Sequence, residues 1–189
     1  MSGLSDRIKK FKTAHPNIYQ LMQDLAFSLA VVAVIALILY AYSGTWPPEA
    51  AISGASMLPH LQNGDLVLLQ NIDRSPVHTY NDSISTGYMT YEEYGDVIVY
   101  YPHGDTSNKM VIHRVIKWVN ESETMYIDRE TGKAVTAPHS GYITLGDNNH
   151  GIYDQEVDIC KDDPVKPEWI HGVVKVRAPY LGYLKSIVP

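Results

Sequence analysis

One stretch of this sequence indicates the fold: Met110-Val111-Ile112-His113-Arg114-Val115-Ile116-Lys117-Trp118-Val119. It is rich in β-branched side chains, which favour an extended strand. Because successive side chains in a strand point to opposite faces, His113 shares a face with Val111 and Val115. The stretch therefore predicts a strand that holds an ionisable, partly desolvated side chain on rigid backbone.

Further short apolar runs on both sides of this stretch predict more strands. They are separated by Gly, Pro, Asn and Asp, and they comprise residues 65–70, 97–101, 124–128, 142–145 and 172–177. No helical periodicity of useful length follows residue 50, and the segments 71–94 and 102–109 are predicted to be polar loops. The expected fold is mostly β, with antiparallel sheets that form a small barrel-like domain.

An apolar segment precedes the predicted β domain. Residues 25–48 contain no Asp, Glu, Lys or Arg, and the densest part, 25–42, would form a helix of about 27 Å. That length nearly matches a bilayer hydrocarbon core of about 30 Å. The run is longer than the apolar region of a cleaved signal peptide. We therefore expect an N-terminal segment over 1–24, one transmembrane helix over 25–46 and a β domain over 47–189.

Charge is distributed unevenly along the chain, whose formal net charge is −6. Residues 1–24 hold four basic and two acidic residues, a net of +2, which leaves 11 basic and 19 acidic residues, a net of −8, in the remainder. Cations just before an apolar helix favour a cytoplasmic N-terminus, which places the β domain outside. The plasma membrane is favoured over the endoplasmic reticulum, and no basic patch indicates nucleic acid.

Ser56 is the candidate nucleophile. It lies in a small-residue turn, Ser53-Gly54-Ala55-Ser56-Met57-Leu58-Pro59, and a hydroxyl becomes reactive only beside a group that takes its proton. His113 is the preferred base because a strand holds it rigidly and partly desolvated. His60 follows Pro59 and is expected on the solvent side of a turn. A hydrogen-bonded core histidine remains the alternative for His113.

Two carboxylates could orient the imidazole of His113. Asp147 lies in Gly146-Asp147-Asn148-Asn149 at the end of a predicted strand, and Asp154 follows seven residues later. The alternative is that both are ordinary turn or surface carboxylates. The single cysteine, Cys160, excludes an internal disulfide and a thiolate metal cluster, and neighbouring carboxylates should raise its pKa. We expect no metal and no cofactor.

Five segments, in order, resemble the signature boxes of type I signal peptidases. They are residues 53–65, 95–100, 111–115, 146–149 and 177–182. A histidine where the bacterial enzymes have a lysine is similar to the Ser–His form of archaeal enzymes and of the catalytic subunits of the endoplasmic-reticulum signal peptidase complex. The resemblance implies that Ser56 is the nucleophile and an oxyanion-hole donor, that His113 is the base, and that Asp147 and Asp154 are the acidic residues.

This resemblance implies a membrane-bound serine endopeptidase that removes N-terminal signal peptides from secretory preproteins. Its expected partners are preproteins with small residues before the cleavage site and the lipid bilayer, and accessory subunits could be required. Ser53 lies three residues before Ser56 rather than the usual two. The resemblance therefore does not identify which group, besides the Ser56 N–H, would donate to the oxyanion. The alternatives are a membrane-anchored β domain that binds secretory proteins without cleaving them, and a related serine peptidase with another substrate.

Overall fold

The computed structural model describes residues 3–185. It divides into two compact units, of which the first ends at Tyr42 and the second begins at Ser43. The first unit is helical, with α1 at Gly3–Ala14 and all but the last residue of α2, which spans Pro16–Ser43. The second unit contains the strands that the sequence predicts.

Helix α2 is, within residues 3–185, the helix that is long and apolar enough to cross a membrane. It has 28 residues and begins at Pro16, a favoured first helical residue, well before the predicted start at residue 25. It ends at Ser43 because Gly44 adopts a left-handed backbone with φ +73°. Trp46, placed at the end of the predicted span, therefore lies beyond the helix.

The second unit is built from short strands with few helical turns. Its elements in chain order are β1 Glu49–Ala51, β2 Leu66–Gln70, α3 Tyr80–Thr86, β3 Met89–Thr90, β4 Glu93–Tyr94, β5 Val97–Tyr100, β6 Val111–Val119, β7 Thr124–Ile127, β8 Ala134–Thr136, β9 Gly141–Leu145, β10 Ile170–Ala178 and α4 Gly182–Lys185. Three 3₁₀ turns lie at Pro102–Gly104, Asp154–Glu156 and Pro167–Trp169.

Six of these strands form one antiparallel sheet in the order β1-β2-β10-β5-β6-β9, which curls into a half-barrel. The pairs β3–β4 and β7–β8 form two further ribbons. This architecture confirms the predicted mostly-β, antiparallel and barrel-like fold. The stretch from Met110 to Val119 supplies β6, which lies between β5 and β9 inside the sheet.

The core lies on both faces of β5, whose four residues are all buried. Val97 and Val99 belong to a cluster that also contains Met57 and Leu61, both buried, from the turn that carries Ser56. Burying a side chain of this size stabilises a fold by about 1.5–3 kcal/mol. The turn after Ser56 is therefore held to the sheet by its own apolar side chains.

The prediction of a polar loop over residues 71–94 was wrong in part. This segment contains α3 and the β3–β4 hairpin. The Thr79 side chain accepts a hydrogen bond from the Asp82 backbone N–H at the start of α3, and Gly87 ends the helix with φ +73°. A seven-residue helix is too short to produce a visible apolar period, although its capping residues are readable in the sequence.

Cys160 is fully buried, and burial raises the pKa of its thiol to about 12, with further contributions from the charges of Asp163 and Asp154. The sequence analysis also predicted a raised pKa for this thiol, but it named the neighbouring carboxylates as the cause, whereas burial has the larger effect. A thiol that stays protonated at neutral pH is a poor nucleophile and a poor metal ligand. Cys160 therefore serves as a small apolar core residue.

Replacing Cys160 with alanine should flatten the alkaline loss of stability. Below pH 9 the thiol is protonated in both states, so its full contribution is present. Between pH 9 and about 12 the unfolded state ionises while the folded state does not. The free energy of unfolding should therefore fall by about 1.4 kcal/mol per pH unit more in the wild type than in Cys160→Ala.

Denaturant unfolding of the detergent-solubilised chain at several pH values from 8 to about 12 measures this difference. The two proteins are compared by how steeply the free energy of unfolding changes with pH, because the alanine variant also leaves a small cavity that lowers stability at every pH. Parallel curves for the two proteins would contradict the assignment.

Candidate active site

Ser56 lies in the connection between β1 and β2, where a second loop holds the backbone on both sides of it. The Asn148 backbone N–H donates to the Ser56 carbonyl at 2.7 Å, and the Asn148 side-chain amide donates to the Ala55 carbonyl at 3.1 Å. A Cβ at Gly146 would lie 2.8 Å from the Ser56 carbonyl oxygen, so only glycine permits this approach. The loop 146–149 therefore fixes the turn that carries Ser56 through the backbone of that turn.

His113 lies next to Ser56. Strand β6 carries it opposite Ile98 of β5, and its side chain is buried. The Nε2 atom of His113 lies 2.9 Å from the Ser56 Oγ atom. The two residues that the sequence analysis paired are thus within hydrogen-bond distance, although they are 57 positions apart.

Asp154 lies on the other side of the imidazole. Its two carboxylate oxygens are 2.8 Å and 2.7 Å from His113 Nδ1. A carboxylate only accepts hydrogen bonds, so Nδ1 carries the proton and Nε2 presents its lone pair to the Ser56 hydroxyl. This tautomer is the one that a general base requires.

Two residues that the sequence analysis did not select support Asp154. The Tyr100 hydroxyl donates to Asp154 Oδ2 at 2.8 Å, and the Thr144 hydroxyl donates to the same oxygen at 2.6 Å. Burial, and next the charge of Asp154, raise the pKa of Tyr100 well above its usual value, so the phenol remains a donor. Both residues lie within apolar strand runs, and a polar atom in such a run was their only sequence signal.

Asp147 is placed differently from Asp154. Its carboxylate accepts hydrogen bonds from Arg114 Nε at 2.8 Å, from Arg114 Nη2 at 2.7 Å and from His60 Nδ1 at 2.7 Å. Arg114 is 1% exposed, so this is a buried, bidentate ion pair. Of the two carboxylates that could orient His113, the structure brings Asp154 to the imidazole and brings Asp147 to Arg114.

The expectation that His60 lies on the solvent side of its turn was wrong. Its side chain is 16% exposed, and the ring bonds to Asp147. The turn folds back because Met57 and Leu61 are buried on either side of Pro59, which carries His60 toward the loop 146–149. This contact could not be predicted from the local sequence, because His60 and Asp147 are 87 positions apart.

A cleft of about 410 Å³ opens beside the Ser56 hydroxyl. Its walls come from β1, the turn that carries Ser56, the start of β6 and the segment after β9, and they include Ser53, Ser56, Met57, Lys109, Ile112 and His113. Ser53 therefore borders the same cleft as Ser56, despite its shifted spacing. Within residues 3–185, no three His, Cys, Asp or Glu side chains are grouped to hold a metal ion.

The chain is similar to a curated protein of known description. No protein-family model matches the chain. The signal peptidase complex catalytic subunit sec11 of Aspergillus terreus is 27% identical over 168 residues, and the alignment covers 87% of this chain and 78% of the relative. An alignment that covers 87% of this chain includes most of the apolar helix and most of the β unit.

Proposed function

Because the chain is signal peptidase I-like, of the endoplasmic-reticulum and archaeal type, we propose that it is a membrane-bound serine endopeptidase that removes N-terminal signal peptides from secretory preproteins. One observation carries the proposal: Ser56, His113 and Asp154 form a continuous hydrogen-bonded chain at the edge of a cleft. A nucleophile, a base and an orienting carboxylate are the parts that serine hydrolysis needs.

In this mechanism the Ser56 Oγ atom attacks the scissile carbonyl while His113 Nε2 takes its proton. The Ser56 backbone N–H stabilises the oxyanion, an interaction for which loss of one donor typically costs about 2.7–4 kcal/mol. His113 then protonates the leaving amine, and water hydrolyses the acyl-enzyme with His113 again as base. Asp154 stabilises the imidazolium through both carboxylate oxygens.

The proposal assigns different work to the two carboxylates. Asp154 orients His113, and Tyr100 and Thr144 hold Asp154 in turn. Asp147 neutralises the buried Arg114, which is the residue after His113 on β6. Asp147 therefore contributes to the site indirectly, by stabilising the strand that carries His113.

The proposed membrane location and orientation follow from the N-terminal unit. Helix α2 anchors the chain, its preceding cations keep the N-terminus cytoplasmic, and the β unit works outside, near the signal peptides of membrane-engaged preproteins. The relative is described as a subunit of a complex, so the proposal includes accessory subunits. Small residues before the scissile bond are the expected substrate feature.

Cleavage of a model preprotein by the detergent-purified chain, and by membranes that contain it, tests the proposal. We expect one new N-terminus, directly after a small residue, and loss of the product when that residue is replaced by a bulky one. Binding without any product would favour the non-catalytic β domain instead. Cleavage that ignores the small residue would indicate a serine peptidase with another substrate.

A further inference from the structure

His60 lies in the same turn as Ser56, four residues later, and both its backbone and its side chain are fixed. Its carbonyl accepts a hydrogen bond from Arg177 Nη1 at 3.0 Å, and Arg177 Nε also binds the buried Asp65 at 2.6 Å. Its Nδ1 atom donates to Asp147. The turn is therefore tied to β10 through the backbone of His60 and to the loop after β9 through its ring.

Asp147 connects His60 to the strand that carries the base. Its carboxylate binds Arg114, the neighbour of His113 on β6, through two parallel hydrogen bonds. Arg114 is fixed further by donating from Nη1 to the Gly95 carbonyl at 2.9 Å and to the Thr90 carbonyl at 3.1 Å. The path from His60 through Asp147 to Arg114 thus joins the turn that carries Ser56 to a rigid part of β6.

We propose that His60 is a positioning residue, which holds Ser56 at hydrogen-bond distance from His113 by binding Asp147. This inference rests on the proposed function for its consequence in preprotein cleavage, but the geometry of Ser56 and His113 can be tested without a preprotein. Without the ring contact, the Ser56 turn keeps its backbone bonds to Asn148 and loses the connection to β6 that runs through Asp147 and Arg114, so that the bond between Ser56 and His113 must fix the distance between them without this support. A misplacement of about 1 Å at a reacting group can cost on the order of 100-fold in rate.

The chemistry of the contact gives a selective rescue. In asparagine the side-chain nitrogen is as many bonds from the backbone as Nδ1 of histidine, so His60→Asn can still donate to Asp147. In glutamine the nitrogen is one bond further away, at the place of Nε2, and His60→Leu has no donor. A general loss of packing would not separate asparagine from glutamine, because both are polar and uncharged.

The first readout is the rate at which a fluorophosphonate, a general serine-directed reagent, modifies Ser56 in the full chain, measured by mass spectrometry. We expect this rate to fall about 10- to 100-fold in His60→Leu and His60→Gln, and to stay within about threefold of wild type in His60→Asn. His78→Leu is the matched control, because His78 is an exposed histidine outside the cleft. Equal rates in all variants would overturn the inference.

The second readout is preprotein cleavage by the same four variants. The loss should appear in kcat, with KM nearly unchanged, because substrate contacts remain while the reacting atoms are displaced. If Ser56 is modified in a His60-dependent manner but no preprotein is cleaved, the positioning role stands and the proposed function fails. If the wild type cleaves preprotein and His60→Leu does so at the same kcat, the function stands and the positioning role fails.

Discussion

Replacing Ser56 with alanine is expected to lower kcat for preprotein cleavage by roughly 10⁴- to 10⁶-fold. The hydroxyl is the only group of the proposed machinery that forms the acyl-enzyme, and its Oγ lies 2.9 Å from the base. Substrate binding should persist, because the substitution removes one oxygen atom and leaves the other side chains that line the cleft in place. Release of mature protein from a labelled preprotein measures the loss, and a pull-down of uncleaved preprotein measures the binding.

Two comparisons make this prediction specific. Ser85→Ala removes an exposed hydroxyl from α3, outside the cleft, and should leave cleavage unchanged. The double variant of Ser56 and His113 should be no slower than either single variant, because the two residues act as one unit. Undiminished cleavage by Ser56→Ala would contradict the whole mechanism. Undiminished cleavage by His113→Ala would contradict only the assignment of His113 as the base.

Replacing Asp154 with asparagine is expected to reduce kcat by roughly 10³- to 10⁴-fold while the fold is retained. The asparagine amide can donate to Nδ1, which would move the imidazole proton to Nε2 and leave no acceptor for the Ser56 hydroxyl. The phenol of Tyr100 and the hydroxyl of Thr144 can still donate to the remaining side-chain oxygen. The variant should therefore resemble wild type in spectroscopy and differ in rate.

Asp147→Asn is the matched variant, since it makes the same chemical change in the other carboxylate. It leaves the buried Arg114 without its counter-charge, which typically destabilises a protein by about 3–5 kcal/mol. For each folded molecule, the factor by which kcat decreases should be at least about ten times smaller in Asp147→Asn than in Asp154→Asn. A larger loss in Asp147→Asn, after correction for the folded fraction, would assign the orientation of His113 to Asp147 instead.

The sequence predicted the fold well where the apolar runs were long. Strands β2, β5, β6, β7, β9 and β10 coincide with predicted runs, because each of them has residues that pack into the core and are therefore apolar. The very short elements β1, β3, β4 and β8 were not predicted, since two or three residues carry no period. Helix α3 was missed for the same reason, although its caps are visible in the sequence.

The site shows the same division between what is local and what is not. Ser56 and His113 could be selected because each has a distinctive local setting, a small-residue turn and a β-branched strand. Tyr100 and Thr144 had no such setting, and their importance comes from a shared contact with Asp154. His60 was assigned to solvent because the sequence after Pro59 gives no indication of which loop covers the turn.

By itself, the sequence determined the apolar N-terminal helix, the antiparallel β character and the pairing of a serine with a histidine. The helix and the β character follow from composition and periodicity, and the pairing follows from local motifs together with the resemblance to type I signal peptidases. Only the tertiary structure decided between the two carboxylates: Asp154 binds the imidazole, and Asp147 binds Arg114 and His60. The reason is that the direction of a carboxylate at the end of a strand depends on the loop that follows, and this loop is fixed by partners distant in sequence.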